Sequence, residues 1–120
     1  MITIYKKGYY YERKVLNELK KAGWDAWRTP ASKSPIDIIA IRPLFGELKI
    51  RLIQVKSISK DNYKPPKDEL EKLKQLVNRY KDFNNVSIEL WVFNKKLKKR
   101  EIYDVKSLIE KYIKSNDNIV

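Results

Sequence analysis

Apolar residues recur along the chain with two spacings, one typical of helices and one typical of strands. Val15, Leu16 and Leu19 form a helical stripe that ends near Gly23, whereas residues 36–41 and 48–57 are short apolar runs between turn-forming residues. The pattern predicts eight elements: a helix at Gly8–Ala22, strands at Trp24–Arg28, Ile36–Ile41 and Leu48–Ser57, a helix at Lys67–Phe83, strands at Val86–Phe93 and Glu101–Tyr103, and a last helix from Asp104. This order predicts an α/β fold with a central mixed β-sheet flanked by helices.

The second and third predicted strands should form a hairpin, because a turn-forming segment separates them. If the turn is centred between Phe45 and Gly46, the register places Asp37 opposite Gln54. Directly opposed Cβ atoms lie roughly 4.5–5.5 Å apart, so oxygen ligands at these two positions can share one cation. A register shifted by one residue would instead turn the two side chains to opposite faces.

Four polar residues occupy positions where apolar residues are expected. Glu12 lies on the stripe of the first helix, Asp37 interrupts an isoleucine-rich strand, and Gln54 and Lys56 close the next strand. Burial of such groups is unfavourable unless they are paired or bind a metal, so their convergence favours a catalytic centre. Taken singly, Asp37 can also be a strand-start cap, and Gln54 with Lys56 the solvated face of an edge strand.

The chemistry of these residues suits a hard divalent cation. Mg²⁺ prefers oxygen ligands, which the Glu12 and Asp37 carboxylates, the Gln54 amide and the Val55 carbonyl would supply. Lys56 beside the metal would orient a water and stabilise charge on an attacked phosphate. The sequence thus predicts a metal-dependent hydrolytic site.

Composition narrows the function further. The 120 residues suit one domain (1–120), and the formal charge of +12 favours a polyanionic partner such as nucleic acid over a merely lysine-coated surface. The chain contains no Cys and no His, which excludes thiolate metal sites and imidazole catalysis. Membrane binding is a weaker option, and with no signal peptide visible the expected location is cytoplasmic.

Basic and aromatic residues near the predicted site are candidates for nucleic-acid contacts. Tyr9, Tyr10 and Tyr11 would stack on bases or sugars, although at least one is expected to pack on the sheet instead. The basic turn at residues 95–100 is either a second phosphate contact or a solvated hairpin tip. The predicted phosphate contacts are Lys6, Lys7, Arg28, Lys33, Lys60 and Lys64.

These residues resemble the PD-(D/E)XK nuclease superfamily, and most closely the archaeal-type Holliday junction resolvases. The resemblance spans roughly the first two-thirds of the chain and rests on motifs in a characteristic order. The matching pieces are Lys7-Gly8, Glu12-Arg13, Gly23-Trp24, Arg28, Ser32, Pro35, Asp37-Ile38-Ile39-Ala40, Gln54-Val55-Lys56-Ser57 and the amphipathic helix that follows.

The resemblance implies a restriction-endonuclease-like core and Mg²⁺-dependent phosphodiester hydrolysis, with Mn²⁺ as the alternative metal. It implies a homodimer that acts on four-way or other branched DNA in recombination and repair, in an archaeon or its virus. Ser32 matches the loop serine near the catalytic centre, and Arg13 matches a DNA-backbone contact. The acidic-acidic-acidic-lysine positions fall on Glu12, Asp37, Gln54 and Lys56.

The sequence departs from the family pattern at two positions. Pro35 stands two residues before Asp37 rather than directly before it, and the aspartate still begins the strand. Gln54 replaces the usual Glu, and a neutral ligand weakens Mg²⁺ binding. Three alternatives therefore stay open: a sequence-specific restriction or homing endonuclease, a non-cutting DNA-binding protein with a nuclease fold, and a structural RNA-binding protein.

Overall fold

The architecture follows the order of elements that the sequence predicts. The computed structural model describes residues 4–29, 34–60 and 65–110, and only the backbone of residues 4–8. The elements are α1 (Ile4–Lys21), β1 (Asp25–Arg28), β2 (Ile38–Leu44), β3 (Glu47–Ile58), α2 (Lys67–Tyr80), β4 (Val86–Asn94) and β5 (Lys99–Asp104). Residues 105–110 are helical and follow β5 directly.

The β2–β3 hairpin has the register that the sequence predicts. Leu44 pairs with Glu47 and Ile38 pairs with Ile53, so Phe45 and Gly46 form a two-residue turn. Both turn residues have positive φ, 53° for Phe45 and 75° for Gly46. This conformation is typical of a type I′ turn, whose twist matches that of the paired strands.

All five strands form one mixed sheet in the order β1-β2-β3-β4-β5. β3 and β4 pair in parallel, and the other neighbours are antiparallel. A parallel pair needs a crossover connection, and α2 provides it between β3 and β4. The C-terminal ends of β3 and β4 therefore lie at the same edge of the sheet.

A hydrophobic core lies on each face of the sheet. The α1-side core joins α1 to one face, and the α2-side core joins α2 and residues 105–110 to the other. Residues 88–94 of β4 are all buried, so this strand is covered on both sides. The α1-side core is Val15, Leu19, Ala26, Ile38, Ala40, Ile53, Trp91 and Phe93, and the α2-side core is Leu73, Ile88, Leu90, Val92, Val105 and Ile109.

Glu89 is a buried carboxylate with a structural role. It is 8% exposed and accepts two hydrogen bonds of 2.7 Å from the Arg51 guanidinium, with further bonds from Ser87 and Trp91. Burial raises the pKa of Glu89, but the bonds from Arg51, Trp91 and Ser87 outweigh it and hold the pKa below its usual value. Its hydrogen-bonding capacity is thus used inside the fold.

No helix within the described ranges is long and apolar enough to cross a membrane.

Candidate active site

The hairpin register places Asp37 beside the second half of β3. The Asp37 N–H donates to the Ile53 carbonyl at 2.8 Å, and the Asp37 carbonyl accepts from Thr29 at 2.9 Å, so its backbone is held between β1 and β3. The regular β2–β3 pairing ends at Ile38 and Ile53, so the predicted pairing of Asp37 with Gln54 is not part of the ladder. The Asp37 Oδ2 accepts a hydrogen bond from the Val55 N–H at 2.8 Å, which fixes the carboxylate against β3.

The side chains of β3 point alternately to the two faces of the sheet, so the β3 residues of the site can be assigned to a face. Ile53 and Val55 pack in or against the α1-side core, whereas Leu52 and Ile58 pack against the α2-side core. Because side chains alternate, Gln54 and Lys56 lie on the α2 side of the sheet. Gln54 is 6% exposed, and the Lys56 ammonium forms an ion pair with Glu69 of α2.

Glu12 reaches the site from α1. It lies one helical turn before Val15, which is fully buried, and its own side chain is 20% exposed. Its Oε1 accepts a hydrogen bond of 3.1 Å from the Arg28 Nε of β1. Arg28 was expected only to contact a phosphate. Its contact with Glu12, a candidate metal ligand, was not predicted from the sequence.

Burial dominates the electrostatics of Asp37. Desolvation raises its pKa from 3.8 to about 6, and the nearby Glu12 carboxylate adds to the rise. The Val55 N–H, Lys56 and Arg28 each oppose the rise. The carboxylate is therefore held in a position where a cation would offset its desolvation.

The donor set fits a divalent metal of the Mg²⁺ type. Across the described stretches of the chain, no three acidic side chains come close enough together to form a metal site. Mg²⁺, however, is commonly held through one or two carboxylates and keeps several waters. Asp37 and Glu12 would provide two carboxylates, and the Gln54 amide and the Val55 carbonyl are the predicted neutral oxygens.

Glu69 of α2 contacts the predicted site residue Lys56, and the sequence analysis did not find it. It lies four residues before Leu73, which is fully buried, so it shares the helix face that packs on the sheet. Glu12 likewise precedes the apolar residues of α1 at helical spacing and shares the face of α1 that packs on the sheet. Applied to α2, the criterion that singled out Glu12 would have found Glu69 as well.

Several expected DNA contacts lie beyond what the structure describes. Arg13 and Lys60 are exposed, as a phosphate contact requires. Tyr11 packs on Phe93 with ring centroids 4.8 Å apart, which confirms that at least one of the three tyrosines packs on the sheet. Ser32, Lys33 and Lys64 fall outside the described residues, as do the side chains of Lys6 and Lys7.

A basic groove of about 460 Å³ runs between α1 and the β4–β5 turn. Its apolar lining includes Tyr11 and Phe93, and Glu18 on α1 binds Arg100 at 2.6 Å. Phe93 belongs to the α1-side core and pairs with Ser57 near the C-terminal ends of β4 and β3, so the groove lies on the α1 side of this edge of the sheet. The cations that line the groove are Lys14, Lys95, Lys98, Lys99 and Arg100.

Comparison with known families decides among the nuclease hypotheses. Residues 3–119 match the model of the archaeal Holliday junction resolvase family. The chain belongs to this family. A Holliday junction resolvase nuclease is therefore the function that the family supports, and the restriction, homing and non-cutting alternatives are not favoured.

The fold is also that of a solved resolvase. The structure of Hjc from Archaeoglobus fulgidus, a Holliday junction resolvase from an archaeal hyperthermophile, matches with a TM-score of 0.62 and 24% identity, and the match covers 83% of this chain and 74% of that one. This likeness confirms the predicted nuclease-type α/β fold. A search of curated proteins finds no match.

Proposed function

We propose that residues 1–120 form a single nuclease domain that cuts four-way DNA junctions as a homodimer with Mg²⁺, or alternatively Mn²⁺. The observation that carries the proposal is the Asp37 carboxylate. It is partly desolvated, held by the Val55 N–H at 2.8 Å, and within electrostatic reach of Glu12 and Lys56. Burying an ionised carboxylate beside a lysine is unfavourable for folding. A role in metal-dependent hydrolysis would account for this arrangement.

Each residue has a role in this proposal. Glu12, Asp37, the Gln54 amide and the Val55 carbonyl would hold the metal, which when bound would activate water and offset charge on the attacked phosphate. Lys56 places its ammonium where negative charge develops on the phosphate. Ser32, three residues before Pro35 in the sequence, would complete the catalytic set.

The basic surface would position the junction. Arg13, Lys60 and the predicted contacts at Lys6, Lys7, Arg28, Lys33 and Lys64 would neutralise phosphates around the site. The basic groove between α1 and the β4–β5 turn favours the phosphate-contact interpretation of the 95–100 turn. A DNA substrate also places the protein inside the cell.

A homodimer follows from the symmetry of the substrate. Resolution of a four-way junction requires two nicks on opposed strands, and one domain carries one site. Two copies related by a two-fold axis would present two sites to the junction.

The test is cleavage of a synthetic four-way junction by the wild type and two variants. We expect Lys56→Ala to abolish cleavage in Mg²⁺ and Mn²⁺ while junction binding persists, and Lys72→Ala, an exposed lysine of α2, to cut normally. Linear duplexes of random sequence serve as substrate controls. Cleavage by Lys56→Ala at the wild-type rate would refute the assigned site.

A further inference from the structure

The site as assigned lacks one negative charge. The family pattern of three acids and a lysine has a formal charge of −2, whereas Glu12, Asp37 and Lys56 together have −1, because Gln54 is neutral. A neutral amide attracts a divalent cation less strongly than a carboxylate does. The structure offers another carboxylate beside Lys56, two residues after Gln54 on β3.

Glu69 brings that carboxylate to the site from α2. It lies in the first turn of the helix, on the face that packs against the α2 side of the sheet, where Lys56 also points. Its Oε1 accepts a hydrogen bond from the Lys56 ammonium. The Glu69 side chain is 29% exposed and that of Lys56 is 30% exposed, so the pair is half-buried.

The second carboxylate oxygen of Glu69 is an unsatisfied hydrogen-bond acceptor within the described residues. Oε2 is buried and finds no hydrogen-bond partner among the residues that the structure describes. A buried polar atom left unsatisfied typically costs about 1–3 kcal/mol. By contrast, the buried carboxylate of Glu89 is satisfied by Arg51, Ser87 and Trp91.

We propose that Glu69 is the third acid of the active site, supplied by α2 in place of the carboxylate that Gln54 lacks. This inference rests on the proposed function. Glu69 holds the Lys56 ammonium in position and restores the formal charge of the site to −2. Lys56 in turn lies within electrostatic reach of Asp37, whose pKa it lowers, so Lys56 connects Glu69 to Asp37.

If Glu69 served only to stabilise α2, replacing the neighbouring Asp68 should have the same effect as replacing Glu69. Asp68 and Glu69 are the two acidic residues in the first turn of α2, where negative charge stabilises the helix macrodipole. Asp68 is exposed, so Asp68→Asn removes the same charge from the same turn without touching Lys56. It is the matched control for Glu69→Gln.

The experiment measures two quantities, divalent-cation affinity by calorimetry without DNA and single-turnover cleavage of a junction at saturating protein. We expect Glu69→Gln to weaken Mn²⁺ and Mg²⁺ binding roughly tenfold and to slow cleavage by a similar factor, with junction affinity unchanged, as for loss of a residue that orients a metal site. Asp68→Asn should match the wild type in both. The double variant Gln54→Glu/Glu69→Gln, which returns the charge to β3, should recover most of the cation affinity.

The outcomes separate this inference from the proposed function. If the wild type cuts and Asp37→Asn does not, but Glu69→Gln behaves like Asp68→Asn in both measurements, the role of Glu69 is refuted and the nuclease site stands. A double variant no better than Glu69→Gln would also contradict the exchange of charge between β3 and α2. A wild type that neither binds cations nor cuts would overturn the proposed function and the role of Glu69 together.

Discussion

Replacement of Asp37 by Asn should make the protein more stable while it destroys the site. The pKa of Asp37 rises from 3.8 to about 6, mainly because of burial. One pKa unit corresponds to about 1.4 kcal/mol, so the ionised carboxylate costs the folded state at most about 3 kcal/mol at pH 8. The side chain is only half-buried, so solvent screening reduces the expected gain from Asn to about 1–2 kcal/mol.

The sign of this effect depends on pH in a defined way. The folded-state pKa lies above the unfolded one, so the protein loses stability as the pH rises from about 4 through about 6 and Asp37 ionises. The amide that Asp37→Asn introduces stays neutral and can still accept the Val55 hydrogen bond through its oxygen. The stability difference between variant and wild type should therefore be near zero below pH 4 and reach its maximum above pH 6.

Urea denaturation in EDTA at pH 4 and pH 8 checks this prediction. At pH 8 we expect Asp37→Asn to unfold at higher urea, and Asp82→Asn, an exposed residue after α2, to match the wild type. Added Mg²⁺ should stabilise the wild type and leave Asp37→Asn unchanged, because only the wild type retains the ligand. A variant that is less stable than the wild type at pH 8, or a difference that does not vary with pH, would refute the reasoning.

Two further predictions concern the scaffold around the site. Glu89→Gln should destabilise the fold by about 3 kcal/mol at pH 7, because it leaves the Arg51 charge without its buried partner; chemical denaturation checks this, and a loss under 1 kcal/mol would contradict it. Phe45→Asn should stabilise the hairpin by roughly 0.5–1 kcal/mol, because Phe45 is 98% exposed with φ 53°, and Asn tolerates that conformation better. A lower thermal midpoint for Phe45→Asn would refute the turn assignment.

The sequence was most informative where the geometry is local. The β2–β3 register followed from a two-residue turn at Phe45 and Gly46, and it brings Asp37 to the end of the ladder, where its carboxylate contacts β3 at Val55. The two covered faces of β4 followed from its nearly continuous apolar run. In each case, the side-chain period of a strand was enough to predict which residues meet.

The contacts that the sequence did not predict join elements far apart in the chain. The Glu12–Arg28 bond depends on how α1 packs beside β1, and the Lys56–Glu69 pair depends on where the crossover sets α2 on the sheet. Periodicity shows which face of an element is buried, but not which residue of another element it meets. For Glu69, the signal was its position four residues before buried Leu73.

The most direct test of the account is a Mg²⁺ titration of junction cleavage by the wild type and Asp37→Asn under single-turnover conditions. We expect the wild type to introduce paired nicks only when Mg²⁺ is present, and Asp37→Asn to bind the junction but leave it uncut at every Mg²⁺ concentration. Cleavage by the wild type in EDTA, or full cleavage by Asp37→Asn, would contradict a metal-dependent site built on Asp37.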